Sequence, residues 1–103
     1  MDPKIKAEWI AALRSGKYKQ GLLRLRSLDD KFCCLGVLAD ACLNADWQKA
    51  IDGYDVDCFT HSPPDSVLDQ AGLSPVHAGI LMAMNDIQGK TFDEIADWIE
   101  ENL

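Results

Sequence analysis

The chain has 103 residues, 48% of them hydrophobic and 26% charged, with a net charge of −7. That balance is globular and not that of a disordered chain, and the length sets a single domain, residues 1–103, as the expectation. No run approaches the roughly 18 apolar residues that span a bilayer, and the N-terminus lacks the apolar core of a signal peptide. The expectation is therefore a soluble, cytoplasmic protein with no membrane partner.

Residues 3–15 carry the first helical pattern. Asp2 is placed to cap it, Pro3 suits the first turn, and Gly16 is placed to end it. Ile5, Trp9, Ala12 and Leu13 share one face. In KYKQGLLRLRSLDDKF, Leu23 and Leu25 alternate with Arg24 and Arg26 before a turn-like SLDD, which predicts a small β-hairpin. Cys34 to Leu43 reads as a second helix. Residues 44–62 lack periodicity and read as an irregular acidic loop with room for a short strand. PPDSVLDQAGL predicts a short helix opened by prolines and closed at Gly72. Ser74 and Pro75 open another, with Val76, Ile80, Leu81 and Met84 expected inward, until NDIQGK breaks it. Thr91 and Glu94 form a capping box for a final helix with the apolar stripe Phe92, Ile95, Ala96, Ile99 and Leu103. The expected fold class is α+β, mainly α: one compact domain of about four to five helices with a small β-hairpin.

The cysteines raise the question of chemistry. Cys33 and Cys34 stand side by side at the mouth of an apolar run. As metal ligands they lack a paired knuckle, because only Cys58 and His61 have ligand-like spacing. As a nucleophile, a cysteine at a helix N-terminus has its thiolate favoured by the dipole, and His61 or His77 would supply a base. As packing, Cys34, Leu38 and Cys42 recur at i, i+4 and i+8 on one helical face, and free cysteine behaves as a small buried hydrophobe. Gly36 then marks a close approach by another backbone. The packing reading fits best, so no metal, cofactor or catalytic residue is assigned.

Charge is divided along the chain. Residues 1–31 carry eight basic and four acidic side chains, a net of +4, and the remainder carries two basic and 13 acidic, a net of −11. Two candidate binding surfaces follow. Arg14, Tyr18, Gln20, Arg24 and Arg26 gather cations and an aromatic around two glycines, a set able to hold an anionic, nucleotide-like ligand. The structural alternative is a helix cap and an ordinary turn. Asp93, Asp97, Glu100 and Glu101 line the outer face of the last helix, where they would repel phosphates but meet a basic protein surface. The alternative there is a solvated helix face. Direct DNA binding is not expected.

At these residues the chain resembles a family of small phage and prophage proteins. The stretches WIAALRSGKYKQG, FCCLGVLAD and MNDIQGKTFDEIADWIE carry the likeness. Matching positions run from Trp9 through Arg14, Gly16, Tyr18, Gln20 and Gly21 to Cys33, Cys34, Leu35 and Gly36. They end with Met84, Asn85, Asp86, Phe92, Ile95 and Ala96. The 44–62 loop lies outside the resemblance. The family pattern often has a further cysteine where this chain has Ala39, which weakens any cysteine-based mechanism. The resemblance implies phage origin. By analogy it implies an accessory protein that binds a host protein, including a defence or regulatory factor. Two alternatives stay open: a small-ligand binder using the Arg14–Arg26 segment, and a small cysteine- or metal-dependent enzyme.

Overall fold

The computed structural model describes all 103 residues. Helix α1 (Pro3–Arg14) begins where the Asp2 carboxylate accepts the backbone N–H groups of Lys4 and Ile5, at 2.9 and 3.1 Å. It ends before Gly16, whose φ of 76° suits a residue without Cβ. Trp9 and Leu13 are the buried residues of α1, and the Trp9 indole N–H donates to the Cys34 carbonyl at 2.9 Å.

The segment after α1 folds differently from a regular hairpin. Strand β1 (Lys19–Gln20) pairs in parallel with β2 (Lys31–Phe32), Lys19 opposite Lys31 and Gln20 opposite Phe32. Between them the chain turns tightly, with Ser27 N–H donating to the Lys31 carbonyl at 2.8 Å, and Arg26 makes an antiparallel bridge to Phe32. The Leu–Arg alternation holds at Leu25, which is fully buried, and fails at Leu23, which is 61% exposed. The regular antiparallel hairpin lies further on, in the stretch read as an irregular loop: β3 (Gln48–Lys49) pairs with β4 (Tyr54–Asp55).

Helix α2 (Cys34–Leu43) is the centre of the domain. Its residues are apolar nearly all round, and Leu35, Val37, Leu38 and Ala39 are fully buried. It packs against α1, α3 (Asp65–Ala71) and α4 (Pro75–Asp86). Gly72 closes α3 with a φ of 67°. Ser74 caps α4 by accepting the His77 N–H at 3.1 Å. Helix α5 (Phe92–Asn102) opens with the Thr91–Glu94 capping box and lays Phe92, Ile95, Ala96 and Ile99 on the core. It packs mainly on α1 and also meets α4. The result is a mainly helical α+β domain of five helices and two small two-stranded sheets.

One inward assignment is corrected. Leu81 and Met84 are buried as expected, but Val76 and Ile80 face outward, 71% and 40% exposed. Ala78 and Asn85 occupy the inner face with Leu81 and Met84. The helix is apolar on both sides, so periodicity alone did not identify the core side.

Candidate functional site

The cysteine pair sits at the start of α2. The Cys33 thiol sulfur accepts the Gly36 N–H at 3.4 Å and so caps the helix, while the Cys34 thiol donates to the Leu81 carbonyl at 3.6 Å. Burial pushes the Cys33 thiol up to about 11 and holds Cys34 well above its ordinary value. Burial likewise lifts half-buried Cys42 to about 11. Desolvation therefore outweighs the helix dipole, and these sulfurs stay as thiols. Cys58 is exposed. No group of three or more His, Cys, Asp or Glu side chains is arranged to hold a metal ion.

Beside the pair lies a polar knot that sequence reasoning did not single out. Asn85 is fully buried on α4. Its Oδ1 accepts from Gln20 Nε2 at 2.9 Å and from Cys34 N–H at 3.3 Å. Its Nδ2 donates to the Gly21 carbonyl at 2.9 Å and to Asp86 Oδ1 at 2.7 Å. Asp86 Oδ1 also accepts the Leu23 N–H at 3.0 Å, and Gln20 Nε2 reaches the Lys90 carbonyl at 2.8 Å. The knot ties the 20–23 loop to the end of α4. It holds Leu23 at a φ of 65°, a left-handed conformation that costs a leucine roughly 1–2 kcal/mol. Leu22 and Leu23 are thereby presented to solvent, 58% and 61% exposed.

The five candidates of the 14–26 segment are each engaged by a different part of the molecule. Arg14 reaches α5, with its guanidinium 2.6 Å from Asp97, 3.4 Å from Glu100 and 4.0 Å from Asp93. The Asp97 hydrogen bond raises the Arg14 pKa above its ordinary value. The Tyr18 hydroxyl donates to Asp40 at 2.7 Å, and burial together with that bond lifts its pKa to about 12. Gln20 belongs to the Asn85 knot. Arg24 pairs with Asp52 at 2.7 Å and meets the His61 ring. Arg26 donates to Asp30 at 2.8 Å and lies over the Tyr54 ring at 4.2 Å, with Phe32 and Trp47 at 5.5 and 5.6 Å. The structure does not bring these five together around one cavity.

The acidic helix divides instead of presenting one face. Asp93, Asp97 and Glu100 gather around Arg14. On the other side, Glu94, Asp97 and Glu101 line a groove of about 300 Å³ with Lys90, Met84 and Trp98. Trp98 stands edge-on to His77, their ring centroids 6.1 Å apart, so the groove follows the α4–α5 seam. Alongside it runs the outer face of α4. Val76, Ile80, Ala83 and Ile87 recur at i, i+4, i+7 and i+11, and Ile87 is 82% exposed. Between Ser74 and Asp86 the only ionisable side chain of α4 is His77. The signal for this surface was in the sequence as PVHAGILMAMNDI, which is apolar on every face.

A small, mainly helical α+β domain with an apolar helix face beside an acidic groove is the class that the fold and this surface define. The chain belongs to the family described as domain of unknown function DUF8296, which it matches over residues 1–103. No curated protein and no solved structure matches it. No helix is long and apolar enough to cross a membrane.

Proposed function

We propose that this is a non-catalytic phage accessory protein that works in the host cytoplasm by binding a host protein and inhibiting a defence or regulatory factor. The observation that carries the binding reading is the outer face of α4. Val76, Ile80 and Ile87 lie on solvent in one helical row, although the opposite face of α4 is already in the core. A helix apolar on both sides calls for cover on both. Leu22 and Leu23, held near its C-terminal end through the Leu23–Asp86 bond, add two exposed apolar side chains, and clustered exposed apolar side chains mark interaction sites. The resemblance on Trp9, Cys33 to Gly36 and Met84 to Asp86 supports phage origin.

The test places a photo-activated cross-linker at position 80, and in a second protein at position 51. Ile51 is 98% exposed and stands outside the α4 row, so it controls for exposure alone. In host lysate, position 80 should yield one dominant host adduct that position 51 does not. Equal labelling from both positions, or none from position 80, would reject the reading.

A further inference from the structure

We infer that the element received by this surface is a basic amphipathic helix of the partner, an inference that rests on the docking reading above. The row from Val76 to Ile87 covers three turns, roughly 16 Å at 1.5 Å per residue. That is the length over which a docked helix presents anchors at i, i+4, i+7 and i+11. Gly79 on the flank of the row has open space where a side chain would stand, so a second helix can approach closely.

The charge around the row selects the occupant. The neighbouring groove is lined by Glu94, Asp97 and Glu101 against one lining cation, Lys90, and Arg14, 2.6 Å from Asp97, brings the local net charge to −1. Glu101 makes no ion pair within the protein, and Arg14 draws on Asp97 from the far side, leaving the seam acidic. Trp98 supplies an aromatic wall, and a Lys or Arg head group between that wall and the carboxylates gains both cation–π and ionic attraction. Of the three indoles, Trp9 and Trp47 donate inside the protein, to the Cys34 carbonyl and to Asp40, whereas Trp98 has no acceptor there. A second copy of the chain fits less well, because each copy brings a net charge of −7 and the same acidic groove. Nucleic acid is repelled by the same carboxylates. An apolar ridge flanked by cations satisfies both halves of the surface.

The experiment titrates the full chain with a designed helical peptide of roughly 14 residues, leucines at i, i+4, i+7 and i+11 and lysines on the flanks. A counterpart carries glutamate in place of lysine. The lysine peptide should bind, shift the Trp98 indole resonance, and weaken as salt rises; the glutamate peptide should not bind. Glu101→Lys and Ile80→Lys should each reduce affinity at least tenfold, with circular dichroism unchanged. The inference is overturned if the two peptides bind alike or neither binds. It is also overturned if the chain sediments as a dimer that Ile80→Lys disperses, making a second copy the occupant. A host adduct from position 80 that maps to an acidic segment keeps the docking reading and removes this inference. Lysine-peptide binding with no host adduct removes the docking reading and keeps the chemistry of the surface.

Discussion

Gly36 packs directly against the backbone of Leu25: a Cβ at position 36 would stand 1.8 Å from the Leu25 carbonyl oxygen and 2.7 Å from its carbon. The contact lets the 24–26 segment lie across the first turn of α2. It also explains how Leu25 reaches full burial from a segment whose neighbours are half exposed. Gly36→Ala must push backbone, not a flexible side chain, and should cost at least the 1–3 kcal/mol of an overpacked core. Gly79→Ala is the matched control. It is helical, has no atom within 4 Å of the added carbon, and should stabilise by about 0.5–1 kcal/mol. Urea unfolding of the two variants checks the contrast.

Asn85 is the next test, because four hydrogen bonds depend on one buried amide. Asn85→Ala leaves the Cys34 N–H and the Gly21 carbonyl without that partner, and a buried group so orphaned costs about 1–3 kcal/mol. The loop should loosen with it, since Asp86 loses the neighbour that orients it toward Leu23. The expected outcome is a lower denaturation midpoint together with faster hydrogen exchange at the Leu23 amide. A lowered midpoint without change at Leu23 would mean that the loop is held by other contacts.

What could be read from the chain beforehand divides along physical lines. Helix ends were legible because capping is local: Asp2, Ser74, Gly72 and the Thr91–Glu94 pair each act within a few residues. The close approach at Gly36 was legible as well, though not the identity of Leu25. Strand pairing was not, because the parallel partner of Lys19 lies twelve residues on and is selected by tertiary contacts. The partner of Arg14 is 83 residues away, so its pairing with Asp97 joined two surfaces that the sequence presents separately. Asn85 stood out only as a position of the resemblance, because its partners Gln20, Cys34 and Gly21 lie 51 to 65 residues away and only the fold shows that it is enclosed.

Thiol reactivity and alkaline stability follow from burial. Exposed Cys58 should react first with a disulfide reagent, half-buried Cys42 more slowly, and Cys33 and Cys34 only on unfolding. The fold favours the neutral thiol of Cys33, raising it from 9.0 to about 11. Stability from this group is therefore fully present below pH 9 and is lost as pH rises through about 11. The amount is roughly 2–3 kcal/mol at about 1.4 kcal/mol per tenfold change in proton affinity. Denaturation midpoints measured from pH 8 to pH 11 should fall across that window, and Cys33→Ala should flatten the fall.

Two adjacent residues of α4 decide whether its outer face is correctly placed. Ile80 is 40% exposed and Leu81 is fully buried, and they lie about 100° apart around the helix. Leu81 closes the α2–α4 contact and accepts the Cys34 thiol at its carbonyl, so Leu81→Ala should leave a cavity and cost about 2–5 kcal/mol. Ile80→Ala removes a side chain that is only partly covered, and alanine favours the helix, so the change should cost no more than about 1 kcal/mol. If Ile80 were a core residue, as the period of the sequence first indicates, the two substitutions would cost alike. Comparable losses in urea would rotate α4 and bury the apolar row, leaving no surface for a partner. A large difference between neighbours keeps the row on solvent. It also separates the residues that hold the fold from those left free to meet another protein.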